Sequence, residues 1–382
     1  MSEHNPLHAQ QAGADASFIA YGEGDGAVEV VESFGEYEAE YAVLRKGAGI
    51  FHMPQRGLIE VIGDDRADFL QRMISNDVAK LTPGDGCRAF LLNRQGRIIA
   101  DLVVLQDDKC TLLDTDVFQA TTVPAELDKY LFAEDVKLAD VSAAHTHIAL
   151  LGPAAAKLCE RAGLGDVSGL KPFGHRALAG DGPAVHAYRR DEVGALGIHL
   201  LVPADRGAEV YQRLAEVVGG LVPEVEGGVR REVTGRGVGW LAYNTARIEA
   251  ATGIYHIDFG PDSLPHETGA LDQAVSFTKG CYLGQEIVAR MQSLGHPKRV
   301  LVPLRCAGDA MPLAGEHVFD ATDRSTIIGA VTSSTVSPLL GGRAIALAMI
   351  KWGKHRPDTT VIVPAEGSMT EATVQAGNFL QA

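Results

Sequence analysis

From Val300 to its end the chain carries no helical period. Short apolar runs at 301–304, 327–333, 344–350 and 360–364 are separated by glycine and proline. A succession of short strands with such breaks closes most readily into a small barrel-like β domain. The preceding 300 or so residues read differently, with helical and strand patterns alternating. The chain has 382 residues and is 46% hydrophobic, which is more than one ordinary core accommodates, so two or three domains are expected.

Within the first part, spacing predicts helices over 37–46, 117–131, 153–162, 206–218 and 240–250. A further helix, with Asp64 as its cap, carries Phe69, Leu70, Met73 and Ile74 on one face. Strands are predicted at 58–62, 110–113, 147–151 and 198–202. Residues 88–92 and 97–105 read as a hairpin joined by Asn93-Arg-Gln-Gly96. The first 15 or so residues look like a loose polar terminus, and 254–269 like a loop.

The formal net charge of −15 argues against phosphate-backbone binding, so no direct nucleic-acid partner is expected. No apolar run is long enough to cross a bilayer, and the opening residues lack the basic and apolar regions of a secretory signal. No membrane association and a cytoplasmic location are therefore expected. The five cysteines are scattered and form no C-x-x-C pair, so neither a disulfide scaffold nor a zinc or iron–sulfur site is expected. His256, His266 and His296 lack metal-ligand spacing, and no metal site is assigned.

Three segments could carry chemistry. In Arg97-Ile-Ile-Ala-Asp101-Leu-Val-Val104, strand alternation places Asp101 on one face with Ile99 and Val103. Such a carboxylate either lines a cavity, where it can bind N–H donors or move a proton, or sits on the wet face of an edge strand. In Asn244-Thr-Ala-Arg247-Ile-Glu249-Ala-Ala-Thr-Gly253, a glutamate at a helix end can reach a pocket and accept paired N–H donors bidentately. The alternative is a solvated Arg247/Glu249 pair. In Phe277-Thr-Lys279-Gly-Cys281-Tyr-Leu-Gly-Gln285-Glu286, Cys281 would lie at a helix N-terminus beside Lys279, an arrangement that favours the thiolate. The alternative is a cysteine packed as a small hydrophobe.

The run Lys279-Gly-Cys-Tyr-Leu-Gly-Gln-Glu286 closely resembles the K-G-C-Y-x-G-Q-E signature of the YgfZ proteins, folate-dependent iron–sulfur maintenance factors related to the glycine-cleavage T-protein. Lys46-Gly-Ala-Gly-Ile-Phe51, Gly96 to Val104, Arg247-Ile-Glu-Ala250 and Gly329 to Ser334 are similar to segments of the wider aminomethyltransferase superfamily. The resemblance implies an α+β, three-domain clover-leaf aminomethyltransferase-like fold with a C-terminal β-barrel domain. Its implied domains are 1–57 plus 145–232, then 58–144 plus 233–295 with the folate site, then 296–382. It implies tetrahydrofolate, or a one-carbon derivative, as cofactor. Glu249 becomes the expected pterin contact, with Arg247, Lys279, Tyr282 and Gln285 as further cofactor-binding residues and Cys281 and Asp101 as catalytic ones. Glu249 and Cys281 are expected to face a common pocket. One departure is that Ala100-Asp101 stands where aminomethyltransferases carry a pair of aspartates.

Two functions follow from the resemblance. The first is a tetrahydrofolate-binding protein of iron–sulfur cluster assembly or repair, with iron–sulfur client or assembly proteins as partners. The alternative is a folate-dependent aminomethyltransferase or methyltransferase.

Overall fold

Six strands close the expected barrel, in the order Arg299–Cys306, Arg343–Lys351, Ile327–Ser337, His317–Asp320, Thr360–Ala365 and Ser368–Val374. The ring is completed where Leu304, Arg305 and Cys306 pair with Val374, Thr373 and Ala372. Its interior is aliphatic, filled by Leu304, Val318, Ala346, Ile350, Val361 and Val374 among others. Two of its strands were not legible in the sequence. His317–Asp320 is only four residues long, and Ser368–Val374 exposes most of its first half. The structure is a computed structural model that describes residues 5–178, 184–221 and 232–381. Among the described residues no helix is long and apolar enough to cross a membrane.

Packing divides the chain into two compact units. The first holds residues 1–70, 78–88 and 102–243, and the second holds 71–77, 89–101 and 244–382. A six-stranded sheet of the first unit runs His175–Leu178, Val185–Arg189, Gly197–Pro203, His145–Leu151, Ala48–His52 and Gly235–Gly237. The helices Ala155–Arg161 and Gly207–Glu216 cover one of its faces, burying Leu158, Val210 and Leu214 against Ile148, Leu150 and Leu200. A five-stranded sheet follows the order Gly86–Leu92, Ile98–Gln106, Cys110–Asp116, Arg56–Ile62 and Lys137–Asp140.

Helix Tyr37–Lys46 forms as the spacing predicts, with Glu38 and Glu40 in its first turn and Arg45 and Lys46 in its last, a charge order that suits the helix dipole. Two expectations are corrected. The terminus is not loose over its described part: His8–Ala12 is a short helix, and Leu7 is buried in the first unit's core. The helix expected over 117–131 is broken. Asp116 accepts from Phe118 N and caps a short turn at Val117–Gln119, and an α-helix begins only at Thr122, with Pro124 in its first turn.

Between the two sheets of the first unit, the apolar side chains of Leu58, Val103, Leu105 and Leu112 meet Tyr188 and Leu201. A buried polar chain runs through the same unit. Arg56 donates from Nε and Nη2 to Asp114 Oδ1, both at 2.9 Å, and Tyr188 OH donates to Asp114 Oδ2. His147 Nε2 meets His199 Nδ1 at 3.0 Å, and His199 Nε2 lies 3.5 Å from Glu192, which pairs with Arg190 at 3.0 Å. Buried charge of this density is tolerable only when each group has an opposite or a hydrogen-bond partner. Burial is the largest influence and would raise the Asp114 carboxyl, but the Arg56 guanidinium, together with His147, Arg190 and the Tyr188 hydroxyl, holds the acid below its ordinary range. Burial also pushes His52, His147 and His199 down to about 3, so these rings are neutral in the folded state.

Histidines depressed in this way bind protons in the unfolded chain before the folded one. Their contribution is complete above the unfolded value of about 6.5 and is lost as pH falls toward 3. Urea unfolding at stepped pH values should therefore show stability falling below pH 6.5 by about 1.4 kcal/mol per pH unit for each histidine. His147→Asn should flatten that slope, and an unchanged slope would contradict the assignment.

Candidate functional site

The second unit is organised around one buried ion pair. Arg247 lies near the end of helix Trp240–Glu249 and is 1% exposed, and Asp258 in the following loop is 2% exposed. Arg247 Nη1 donates to Asp258 Oδ2 at 2.6 Å and to Thr252 O at 3.0 Å. Its Nε donates to Asn244 Oδ1 at 2.9 Å, and its Nη2 to Ser333 Oγ at 2.7 Å. Asp258 is equally committed. Ile254 N also donates to Oδ2 at 2.9 Å, and the hydroxyls of Thr332 and Ser333 both donate to Oδ1 at 2.7 Å. Four donors fill the capacity of a carboxylate.

The barrel strand Ile327–Ser337 supplies the complementary face. Its register shifts between Val331 and Ser333, and the extra residue turns both Thr332 and Ser333 toward Asp258. Beyond that bulge, alternate residues of the strand meet the helix. Ser333 meets Arg247, Thr335 meets Thr245 at 2.7 Å, and Ser337 Oγ donates to Glu249 Oε1 at 2.5 Å. Three alternate strand residues thus meet the last turns of the helix at 247, 245 and 249. Glu249 is held at the last helical residue and is 0% exposed.

Asp101 reaches the second unit from a clamped strand. Tyr255 OH donates to the carbonyls of Ile98 and Ile99 at 3.2 and 2.8 Å, and Ile98 N donates to Ser263 O at 3.0 Å. Along this strand Ile98, Ala100 and Leu102 are buried, whereas Ile99 and Asp101 are half-buried. Asp101 is therefore not enclosed by Ile and Val, and Val103 does not share its exposure. Ala100 is fully buried, where an acid would need donors of its own.

The Lys279 segment departs from expectation more sharply. Lys279 is 8% exposed, and its ammonium donates to the carbonyls of Ile74 and Asn76, both at 2.7 Å. It pins the segment at residues 74–76, which Ser75 also ties to Ala274 O. Tyr282 is buried in the second unit's apolar cluster, and burial pushes its phenol up to about 12. Gln285 Oε1 accepts from Tyr282 N at 3.2 Å. The helix begins at Gln285, capped by Gly284 in the left-handed region (φ 79°), where an added Cβ would lie 2.5 Å from Asn93 O.

The structure places the expected site residues as follows. Arg247 and Lys279 brace the scaffold, Tyr282 lies in the apolar cluster, and Gln285 accepts from the turn before its own helix. Cys281 stands three residues ahead of the helix cap, outside the first turn that would favour its thiolate. It is exposed, whereas Glu249 is fully enclosed, so the expected shared pocket does not describe their surroundings. Cys159 and Cys306 are buried, and burial raises the thiols of Cys110 and Cys306 to about 11 and that of Cys159 to about 12. Asp258, Thr332, Ser333 and Ser337 were missed. The signal available was the alternation of hydroxyls in Ser333-Ser-Thr335-Val-Ser337.

Comparison with known proteins places these features in context. Residues 7–279 match the GCVT N-terminal domain, and residues 299–381 match the glycine cleavage T-protein C-terminal barrel domain. An aminomethyltransferase of Synechococcus sp. (strain CC9311) is 29% identical over 379 residues, covering 97% of this chain and 96% of that protein. One from Geobacillus sp. (strain WCH70) is 29% identical over 389 residues, covering 99% of each. The crystal structure of glycine cleavage system aminomethyltransferase T from Bartonella henselae superposes with a TM-score of 0.84 over 99% of this chain and 98% of that one. At 24% identity, that likeness speaks to the fold.

Removing one partner of a buried ion pair leaves an uncompensated charge, at a cost of about 3–5 kcal/mol. Asp258→Asn should therefore lower stability by about that amount in urea unfolding, and Arg247→Lys should not recover the native value because it lacks the planar fork. A loss below about 1 kcal/mol for Asp258→Asn would contradict the lock.

Proposed function

The chain belongs to the glycine-cleavage T-protein family, with its N-terminal GCVT domain and its C-terminal barrel, and from that premise we propose that it is a folate-dependent one-carbon transferase of the aminomethyltransferase kind. In this reading it transfers to tetrahydrofolate either the carbon of an aminomethyl donor, giving methylene-tetrahydrofolate with release of ammonia, or the methyl group of an amine donor, which leaves as the demethylated amine. The placement of Glu249 carries the reading. It is the glutamate of the R-x-E-A segment, set at a helix end by the Arg247–Asp258 lock and oriented by Ser337.

A pterin presents an amino group and a ring N–H side by side, and a carboxylate accepts such a pair bidentately. The Ser337 hydroxyl anchors one oxygen of the carboxylate, and a carboxylate is the residue type that such a pair of donors requires. Bound tetrahydrofolate would supply the nucleophilic nitrogen that receives the one-carbon unit. Asp101, half-buried on a clamped strand, would serve as the proton acceptor when that nitrogen forms its new bond. The three-domain division at 1–57 plus 145–232, 58–144 plus 233–295 and 296–382 belongs to the same proposal. It is supported by the two sheets and the barrel, which draw mainly on those three sets of residues.

A second reading keeps the family and changes the task. Of the four residues singled out in the Lys279–Glu286 signature, Cys281 alone is exposed. An exposed thiol in a segment pinned by Lys279 and Gly284 favours a folate-binding role toward iron–sulfur client or assembly proteins.

Product analysis with tetrahydrofolate and an aminomethyl donor separates the two. The transferase reading predicts formation of methylene- or methyl-tetrahydrofolate, lost by roughly a hundredfold or more in Asp101→Asn and nearly unchanged in Cys281→Ala. The iron–sulfur reading predicts no turnover in either, with Cys281→Ala abolishing support of iron–sulfur enzyme activity. Turnover that survives Asp101→Asn would remove the proposed proton acceptor.

A further inference from the structure

Three side chains of the first unit, far from one another in sequence and unused by the proposed reaction, offer ligand atoms to one point. Asp107, His175 and His186 each offer one atom, and these atoms lie within 4.8 Å of one another. His175 and His186 come from neighbouring antiparallel strands. His175 pairs with Tyr188 and Ala177 with His186, so the two histidines are diagonal neighbours on one face, within reach of long side chains. Asp107 stands at the turn that follows strand Ile98–Gln106, where its N–H donates to Cys110 O.

The histidines are arranged as ligands rather than as core packing. His175 is 4% exposed, and its Nε2 lies 2.7 Å from Gln106 O. A carbonyl oxygen can only accept, so Nε2 carries the hydrogen, and Nδ1 of the neutral ring is a bare lone pair. Among the described residues that Nδ1 has no hydrogen-bond partner, and neither has the buried Nδ1 of His186, which is 3.9 Å from Asp107 Oδ2. Two unsatisfied, buried imidazole nitrogens beside a carboxylate are costly unless something occupies the space between them. The donation from His175 Nε2 to a backbone carbonyl is the outer contact that orients metal-binding histidines and fixes their tautomer.

We propose that Asp107, His175 and His186 bind a divalent transition-metal ion of the zinc class. Two imidazole nitrogens and one carboxylate oxygen suit Zn²⁺ and its neighbours and disfavour Mg²⁺, which requires oxygen ligands. Ligand bonds of about 2.0–2.2 Å around a tetrahedral ion bring donor atoms to about 3.3–3.5 Å from each other, so binding draws the three groups together by an ångström or so. His175 comes from the buried side, whereas the side chains of His186 and Asp107 are 25% and 32% exposed. The ion enters from solvent, and its fourth position is left to water. Bound there, it ties the paired strands His175–Leu178 and Val185–Arg189 to the end of strand Ile98–Gln106.

The full-length protein, stripped with a chelator and dialysed against limiting Zn²⁺, tests this directly. Metal analysis after gel filtration should find one more zinc ion per chain in the wild type than in Asp107→Asn or His186→Ala. Both substitutions are at half-exposed positions and should leave the fold intact. Titration should show affinity weakened by roughly tenfold or more in each variant, with excess Mg²⁺ failing to compete. Zn²⁺ should also raise the melting temperature of the wild type by several degrees and leave that of Asp107→Asn unmoved. Equal zinc retention by the wild type and both variants would overturn the assignment, as would a melting temperature insensitive to zinc in the wild type.

Discussion

The ion pair between Arg247 and Asp258 is the interaction on which the second unit depends. It is almost wholly enclosed, and burial of this kind is favourable only when the remaining hydrogen-bonding capacity of both groups is met. Asn244, Thr252, Ile254, Thr332 and Ser333 supply that capacity. These partners come from a helix, a loop and a barrel strand, so none of the three can move without leaving a buried charge short of a partner. Such a pair contributes less through its own net energy than through the single arrangement it permits. In this arrangement Glu249, two residues along the helix from Arg247, faces Ser337, two strand residues beyond Thr335.

The first unit applies the same rule with different groups. Asp114 is fixed by Arg56 and Tyr188, and Glu40 is enclosed by Ser33 Oγ and the backbone N–H groups of Phe34 and Gly239. His52, His147 and His199 stay neutral because burial penalises their charged form. Each unit therefore holds its polar interior in one geometry.

Much of the fold was legible in the sequence because periodicity reports burial. The helix Tyr37–Lys46, the hairpin turning at Gly96 and four of the six barrel strands have patterns that packing did not override. The strands His175–Leu178 and Val185–Arg189 were not legible: each is four or five residues long and mixes polar with apolar side chains. The site was legible in its residue types more than in their roles. The Arg247 segment and the Lys279 signature do mark chemistry-bearing regions, yet sequence spacing cannot distinguish an arginine aimed at a ligand from one aimed at Asp258. Lys279 illustrates the same limit. Its neighbour Cys281 is two residues away in the chain, but its ammonium is turned to the carbonyls of Ile74 and Asn76, more than 200 positions away. Such contacts depend on tertiary pairing, of which local sequence carries no trace.

The central claim is that Glu249 receives the pterin of tetrahydrofolate. Calorimetric titration of the purified chain with tetrahydrofolate, in the wild type and in Glu249→Gln, addresses it most directly, with melting curves showing that both are folded. A charge-assisted bidentate contact is worth about 1.5–3 kcal/mol, so saturable binding to the wild type should weaken by roughly tenfold or more in the variant. Equal affinity in the two proteins, or no binding to the wild type, would contradict the account.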